Sequence, residues 1–338
     1  MDVAIGSHIV SGPWGGGNRF ASALADAIRR YGGTARFDLS GEPDIILLTD
    51  PRPRNPGATF TAREIFRKLA FSNSSSIVIH RINECDERKN TRSMNFRLRT
   101  ANYTADHTVF VGRWLEDLDV WRRENGHSVI LNGADTRIFN SNGFVPWSGN
   151  GPLRLVTHHW GAHWMKGFDV YQLIDDLLDN SEWRARLEFT FIGNLPAEFG
   201  FRNARHVPPL DGKALATELK RHHAYVTASI NEPGGNHQNE GAACGMPLLY
   251  RKSGCLPEYC QGFGIEFEAG NFVKKLSMFI QEYPQLALVM ADWPHTAERM
   301  CGNWLELFNA LLKERDEIVS RRRVWREPIT ALQTQIPF

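Results

Sequence analysis

Apolar residues along this chain gather in short unbroken runs, and most runs are followed by a helix-length stretch with one apolar face. In the first half the runs cover residues 3–5, 45–48, 77–79, 109–111 and 129–131. They do not alternate with polar residues, which is how strands covered on both faces of a parallel sheet read. Among the helical stretches, residues 20–31 carry Ala21, Leu24, Ala25 and Ile28 on one face and stop at Gly32-Gly33. A second helix is predicted after Thr61 and a third over residues 114–122.

A polar, Gly- and Pro-rich interruption follows at 140–152, the best candidate for an interdomain linker. The rhythm then restarts, with strands predicted at 153–156, 187–192, 225–228, 248–250 and 265–267. Helices are predicted at 168–178, 212–222 and 272–283, and residues 293–324 read as mostly helical. Two successive sets of strand–helix units predict an α/β protein with two open, doubly wound parallel sheets.

Length fits this division, since 338 residues suit two domains of roughly 150 residues each. The formal net charge of +1 gives no general attraction to nucleic acid or to acidic membranes. A local basic cluster, Arg321-Arg322-Arg323 with Arg326, reads as a solvated last helical turn, with an anionic membrane or acidic acceptor as the sharper alternative. No apolar run is long enough to span a bilayer, and Met1-Asp2-Val3-Ala4-Ile5 looks like a first strand rather than a signal peptide. The five cysteines are scattered and odd in number, which fits buried thiols in a reducing cytoplasm.

The most informative segment runs Asn231-Glu232-Pro233-Gly234-Gly235-Asn236-His237-Gln238-Asn239-Glu240-Gly241-Ala242-Ala243-Cys244-Gly245-Met246-Pro247. It follows an apolar strand. Pro233-Gly234-Gly235 dictates a turn, Asn236 starts a helix and Gly245 stops it. Glu232 then sits before the helix and Glu240 about one turn inside it, outside the carboxyl end of the strand. Two carboxylates there are natural acceptors for sugar hydroxyls, and a helix start suits a pyrophosphate.

Glu232, seven residues, Glu240, then Gly-Ala-Ala-Cys-Gly-Met-Pro resembles the E-x7-E motif of retaining GT-B glycosyltransferases, especially family 4. The likeness runs along the chain in order. Trp14-Gly15-Gly16-Gly17-Asn18 resembles the family's first glycine loop; it lacks the strict G-x-G-x-x-G spacing of dinucleotide binding. Asn132-Gly133-Ala134-Asp135 resembles the turn that ends the family's first domain. Trp164-Met165-Lys166-Gly167-Phe168-Asp169 resembles the element whose lysine contacts the donor phosphates. His80, at a strand end, resembles the histidine near the donor sugar. One departure stands out: relatives usually carry an arginine five residues before that lysine, and this chain has Gly161 within the His-rich stretch 157–163. Asp117-Leu118-Asp119 spells the D-x-D of another transferase fold but falls inside a predicted helix, so it is read as accidental.

The resemblance implies two Rossmann-like domains facing each other across a cleft. They are expected at 1–147 (acceptor side) and 152–310 (donor side), with a C-terminal helix and tail at 311–338 packing back toward the first. It implies transfer of a sugar from a nucleoside diphosphate sugar to a hydroxyl acceptor, carbohydrate or lipid-linked, with retention at the anomeric carbon and no cofactor or metal. Lys166, Glu232 and His80 are the expected catalytic residues. Gly16, Gly17, Gly234, Gly235, Asn236, Glu240, Val207 and Pro208 are expected to bind the donor, and His158, His159 and Arg81 to contact phosphate or acceptor. The spacing of His159 and His163 also fits a metal, without a third ligand in view. The implied setting is polysaccharide assembly in the cytoplasm, with peripheral membrane contact as a candidate property. A sugar-nucleotide epimerase and a non-catalytic sugar-nucleotide binding protein are the alternatives; a dinucleotide oxidoreductase would leave Glu232 and Glu240 unexplained.

Overall fold

The computed structural model of the chain describes residues 1–10, 16–52, 55–72 and 74–336. It divides into two compact units, Met1–Leu131 with Glu298–Phe338, and Asn132–Ala297.

In the first unit the strands are β1 (Asp2–Ile5), β2 (Thr34–Arg36), β3 (Ile45–Leu48), β4 (Ile77–Ile82), β5 (His107–Phe110) and β6 (Gly126–Val129). The helices α1 (Gly16–Arg30), α2 (Ala62–Phe71) and α3 (Met94–Asn102) connect them. The sheet is parallel, in the order β2-β1-β3-β4-β5-β6. Its unbroken apolar strands have apolar cover on both sides. Val3, Ile5, Ile45, Leu47, Ile77 and Ile79 pack with α1, while Ala4, Ile46, Leu48 and Val78 pack with α2. Alternate side chains point to opposite faces, so a strand covered twice has no polar positions to spare.

The second unit holds β7 (Leu153–His159), α4 (Phe168–Leu177), α5 (Ser181–Arg186), β8 (Leu187–Gly193), β9 (Arg205–Val207), α6 (Gly212–Leu219), β10 (Ala224–Thr227), α7 (His237–Ala243), β11 (Leu248–Arg251), α8 (Leu256–Cys260), β12 (Gly264–Phe267) and α9 (Phe272–Val289). Its parallel sheet runs β12-β11-β10-β7-β8-β9, so the chain builds outward from β7 in one direction and restarts at β10 in the other. That reversal creates a topological switch point between β7 and β10. Phe168, Tyr171 and Ile174 of α4 and Phe272, Leu276 and Phe279 of α9 cover one face.

The remaining helices, α10 (Ala297–Lys313), α11 (Arg315–Arg321) and α12 (Pro328–Gln333), follow the second unit in the chain. Met300, Cys301, Trp304, Phe308 and Leu311 of α10 enter the same core as α1.

Three local expectations need correction. Residues 114–122 are not an α-helix: a 3-10 turn covers Arg113–Asp117 and the chain then bends. The buried Leu115, Val120 and Trp121 do not share one helical stripe, so a helix could not bury them together. Asp117 therefore ends a short turn, and Asp119 is engaged by Arg99 at 2.9 Å. Helix α9 runs past its expected end through Pro284 to Val289, because Leu286 and Ala287 still pack on the core and offset the missing amide donor. Arg322 is not solvated: it is largely buried and bonds Asp106 at 2.6 Å.

Candidate functional site

The switch point of the second sheet gathers the residues singled out by sequence. Thr227 ends β10, and the backbone turns left-handed at Asn231 (φ 52°) to bring Glu232 out of the sheet. Asn236 is the N-cap of α7, and Gly245, at φ 95°, lies just past its end. Glu240 falls in the first turn of α7. Gly235 needs its missing side chain: an added Cβ would meet Gln238 and the His237 ring at 2.7 Å.

Lys166 ends a 3-10 turn after β7 and precedes α4. Gly167 takes φ 98°, and a Cβ there would strike Ala228 at 2.5 Å, so only glycine lets this turn lie against the end of β10. The turn seats Lys166 Nζ 2.5 Å from Glu232 Oε2, with both residues buried. The space that a side chain at Gly161 would enter is bordered by His163 at 3.3 Å and Lys166 at 3.5 Å.

The second carboxylate is held by a histidine. His158 Nε2 lies 2.8 Å from Glu240 Oε2, and Nδ1 lies 3.0 Å from the Tyr225 hydroxyl. The His158 amide donates to that hydroxyl at 3.0 Å, the hydroxyl also reaches the His158 carbonyl at 3.3 Å, and the carboxylate facing Nε2 can only accept. In that arrangement Nε2 keeps its hydrogen and donates to Glu240. His159 points elsewhere, with Nε2 at 2.7 Å from the Tyr171 hydroxyl and its ring 4.5 Å from that of His237. Burial holds His159 well below the ordinary histidine range, and lowers His237 to about 3, where its Nε2 meets Thr227 Oγ1 at 2.7 Å. Both rings are neutral wedges inside the unit.

Sequence reading missed several supporting residues. Asn132 donates to the Gly234 carbonyl at 2.6 Å and accepts from Asn239 at 3.1 Å, tying the Asn-Gly turn to the entry of α7. The buried oxygens of Ser229, Gln238 and Asn239 have no hydrogen-bond partner among the described residues. Such groups cost about 1–3 kcal/mol each unless something donates to them. Asn132, Gln238 and Asn239 stand in segments picked out in the sequence, but their residue types do not reveal this supporting role. Val207 ends the outer strand β9, half-buried, and Pro208 beside it is exposed. The structure does not bring these two together with the carboxylates by any described hydrogen bond.

In the first unit, His80 and Arg81 lie on β4. His80 is fully buried, and burial lowers it to about 3. Asn102 fixes its tautomer. The carboxamide oxygen accepts the Arg122 amide at 2.8 Å, so the Nδ2 amine faces Thr108 at 2.9 Å and His80 Nδ1 at 3.1 Å. Nδ1 must then accept, and the ring hydrogen sits on Nε2, which has no partner among the described residues. Arg81 stacks its guanidinium 3.9 Å above the Phe20 ring. Gly16 and Gly17 open α1 with amides that lack helical acceptors; Trp14 and Gly15 lie outside the described residues. A Cβ on Gly17 would meet no described atom within 4 Å. No cluster of three or more potential metal ligands exists among the described residues.

Solved structures of similar fold exist along most of the chain. HepE of Anabaena in complex with UDP-glucose is similar at a TM-score of 0.61 and 11% identity, over 91% of this chain and 99% of that one. A glycosyltransferase of Rickettsia africae is similar at 0.56 and 13%, over 90% and 84%. Sucrose-phosphate synthase of Thermosynechococcus elongatus is similar at 0.53 and 14%, over 97% and 99%. The fold is that of the GT-B glycosyltransferases. No protein-family profile matches the chain, and no curated protein does. Within this GT-B fold, the Lys166–Glu232 and His158–Glu240 pairs stand at the carboxyl ends of β7 and β10.

Proposed function

We propose that the protein is a glycosyltransferase of the retaining, family 4 type, which moves a sugar from a nucleoside diphosphate sugar to a hydroxyl acceptor. The observation that carries this reading is the placement of both motif glutamates at the sheet's switch point, each already oriented by a basic or hydrogen-donating side chain. Glu240, aimed by His158, accepts the ribose hydroxyls. Glu232 accepts from hydroxyls of the transferred sugar. Lys166 serves the diphosphate. Helix α7 is only seven residues long, so its dipole is small and the lysine supplies most of the positive charge.

In the reaction the bond from the anomeric carbon to the β-phosphate oxygen breaks and a bond to the acceptor oxygen forms. The acceptor proton passes to the leaving diphosphate. Lys166 lowers the barrier by stabilising charge that grows on that oxygen, a preorganised electrostatic effect. Front-face displacement fits retention, since a Glu232 carboxylate that shares its charge with Lys166 is a poor nucleophile. In the first unit, taken by itself, the Nε2–H of His80 is a neutral donor rather than a titrating acid. No metal or cofactor enters this scheme. HepE was solved with UDP-glucose, which makes a uridine donor the first to try.

A panel of UDP, GDP, ADP and TDP with their sugar conjugates tests the reading by thermal shift. One nucleotide family should raise the midpoint selectively, because a ligand of the native state alone stabilises it. The favoured conjugate should then lose its sugar to an acceptor. Stabilisation without transfer to any acceptor would favour a binding protein. No shift at concentrations far above usual affinities would remove the site.

A further inference from the structure

The basic cluster near the end of the chain takes no part in the site above, and its surroundings are unusual for a protein surface. Helix α12 turns its small residues inward: Ala331 is 1% exposed and packs with Phe66 and Tyr103. Its large residues face out, with Ile329 76%, Leu332 63% and Ile336, just past the helix end, 50% exposed. Within the helix, Ile329 and Leu332 stand three residues apart and so share one face. Trp325, 52% exposed, stands edge-on to Phe66 at 5.0 Å and lies 6.4 Å from the exposed Phe71. Arginines surround this apolar face. Arg321, Arg323 and Arg326 are exposed, and Arg67 reaches across to Gln335 at 3.0 Å. Arg63 and Arg97 line an open groove of about 380 Å³ that Ile336 also borders.

Apolar side chains ringed by cations match a surface with negative headgroups above hydrocarbon. Tryptophan and arginine both suit that boundary, with apolar bodies and polar tips. A second copy of the chain fits poorly, because a two-fold contact would set the same arginines against each other. We propose that this face docks the protein on an anionic lipid surface, with Trp325, Ile329 and Leu332 entering the interface and Arg67, Arg323 and Arg326 at the phosphate level.

The test is co-sedimentation of the full chain with vesicles of pure phosphatidylcholine and with vesicles one-third phosphatidylglycerol. Binding is expected to the second only, and to weaken as salt rises. Ile329→Asp with Leu332→Asp should reduce it at least tenfold, while an unchanged thermal midpoint shows the fold intact. Arg323→Glu should cost at least about fivefold, the worth of one arginine near such a surface. A variant that keeps the apolar face and exchanges Arg323 for lysine should bind normally. Binding that ignores lipid charge, or that survives the double substitution, overturns the proposal. So does a concentration-dependent dimer that the double substitution abolishes, which would assign the face to a second copy. Absence of binding to either vesicle overturns it as well.

Discussion

Lys166 and Glu232 lie 2.5 Å apart and are both buried, so changing one takes a close charge partner from the other. A buried pair broken on one side costs about 3–5 kcal/mol. Lys166→Ala is therefore expected to lower stability as well as turnover. Combining it with Glu232→Gln should restore much of the thermal midpoint, yet kcat should remain down by about 10²–10³-fold, the usual loss of one charge-stabilising donor. Recovery of kcat with stability would make the lysine structural only. Glu240→Ala is a different case: nucleotide affinity by calorimetry should fall roughly tenfold or more, as a charged acceptor of hydrogen bonds is lost. Unchanged affinity would take the ribose away from Glu240. Asn102 offers a sharper probe, because its amine makes His80 an Nε2–H tautomer. Asn102→Asp puts an acceptor opposite Nδ1, and nitrogen NMR of His80 should show the hydrogen moving there. A tautomer unmoved by the substitution would mean that Asn102 does not set it. This tautomer was not legible in the sequence, where His80 was a histidine at a strand end and Asn102 carried no signal at all. The glutamates were legible because their spacing and turn residues are local, whereas their partners come from β7 and the loop after it.

Elements declared themselves when their burial was two-sided or striped. The strand β3 and the first half of β4, Ile77–Ile79, are unbroken apolar runs, and α1 shows one clean stripe from Phe20 to Ile28. Short edge strands did not: β2 and β9 have three residues each, are mostly exposed or half-buried, and give no pattern to read. Helix α10 was visible as a helix, but its partner was not. Its Trp304 is 1% exposed and packs 5.5 Å from Phe20 of α1, almost three hundred residues earlier in sequence. Trp304→Ala should cost the first unit about 3–5 kcal/mol, as large core truncations do. Denaturant unfolding checks this, and a loss under 1 kcal/mol would show that α10 is dispensable to that core.

At the scale of the whole molecule, acid is the predicted weakness. His80 in the first unit and His237 in the second are held at about 3 by burial, against an ordinary 6.5. Below 6.5 the unfolded chain takes up protons that the folded chain refuses, so stability is complete above that pH and falls as pH drops toward 3. The slope is about 1.4 kcal/mol per pH unit for each such ring. The thermal midpoint should decline steadily from pH 6.5 to 4, and less steeply when His237 is replaced by glutamine. A flat profile over that range would show the rings free to protonate in place.

The division of the chain has a bearing on how the protein is made. The second unit is one continuous stretch, Asn132–Ala297, whereas the first is written in two pieces that flank it. During translation the ribosome therefore finishes the inserted unit before it has delivered α10. Until residues 300–311 emerge, Val3, Ile5, Ile45 and Leu47 lack part of their cover. The unit that starts first is the one completed last, and in the interval that apolar face is left without its last cover, the kind of surface on which nascent chains stick to one another.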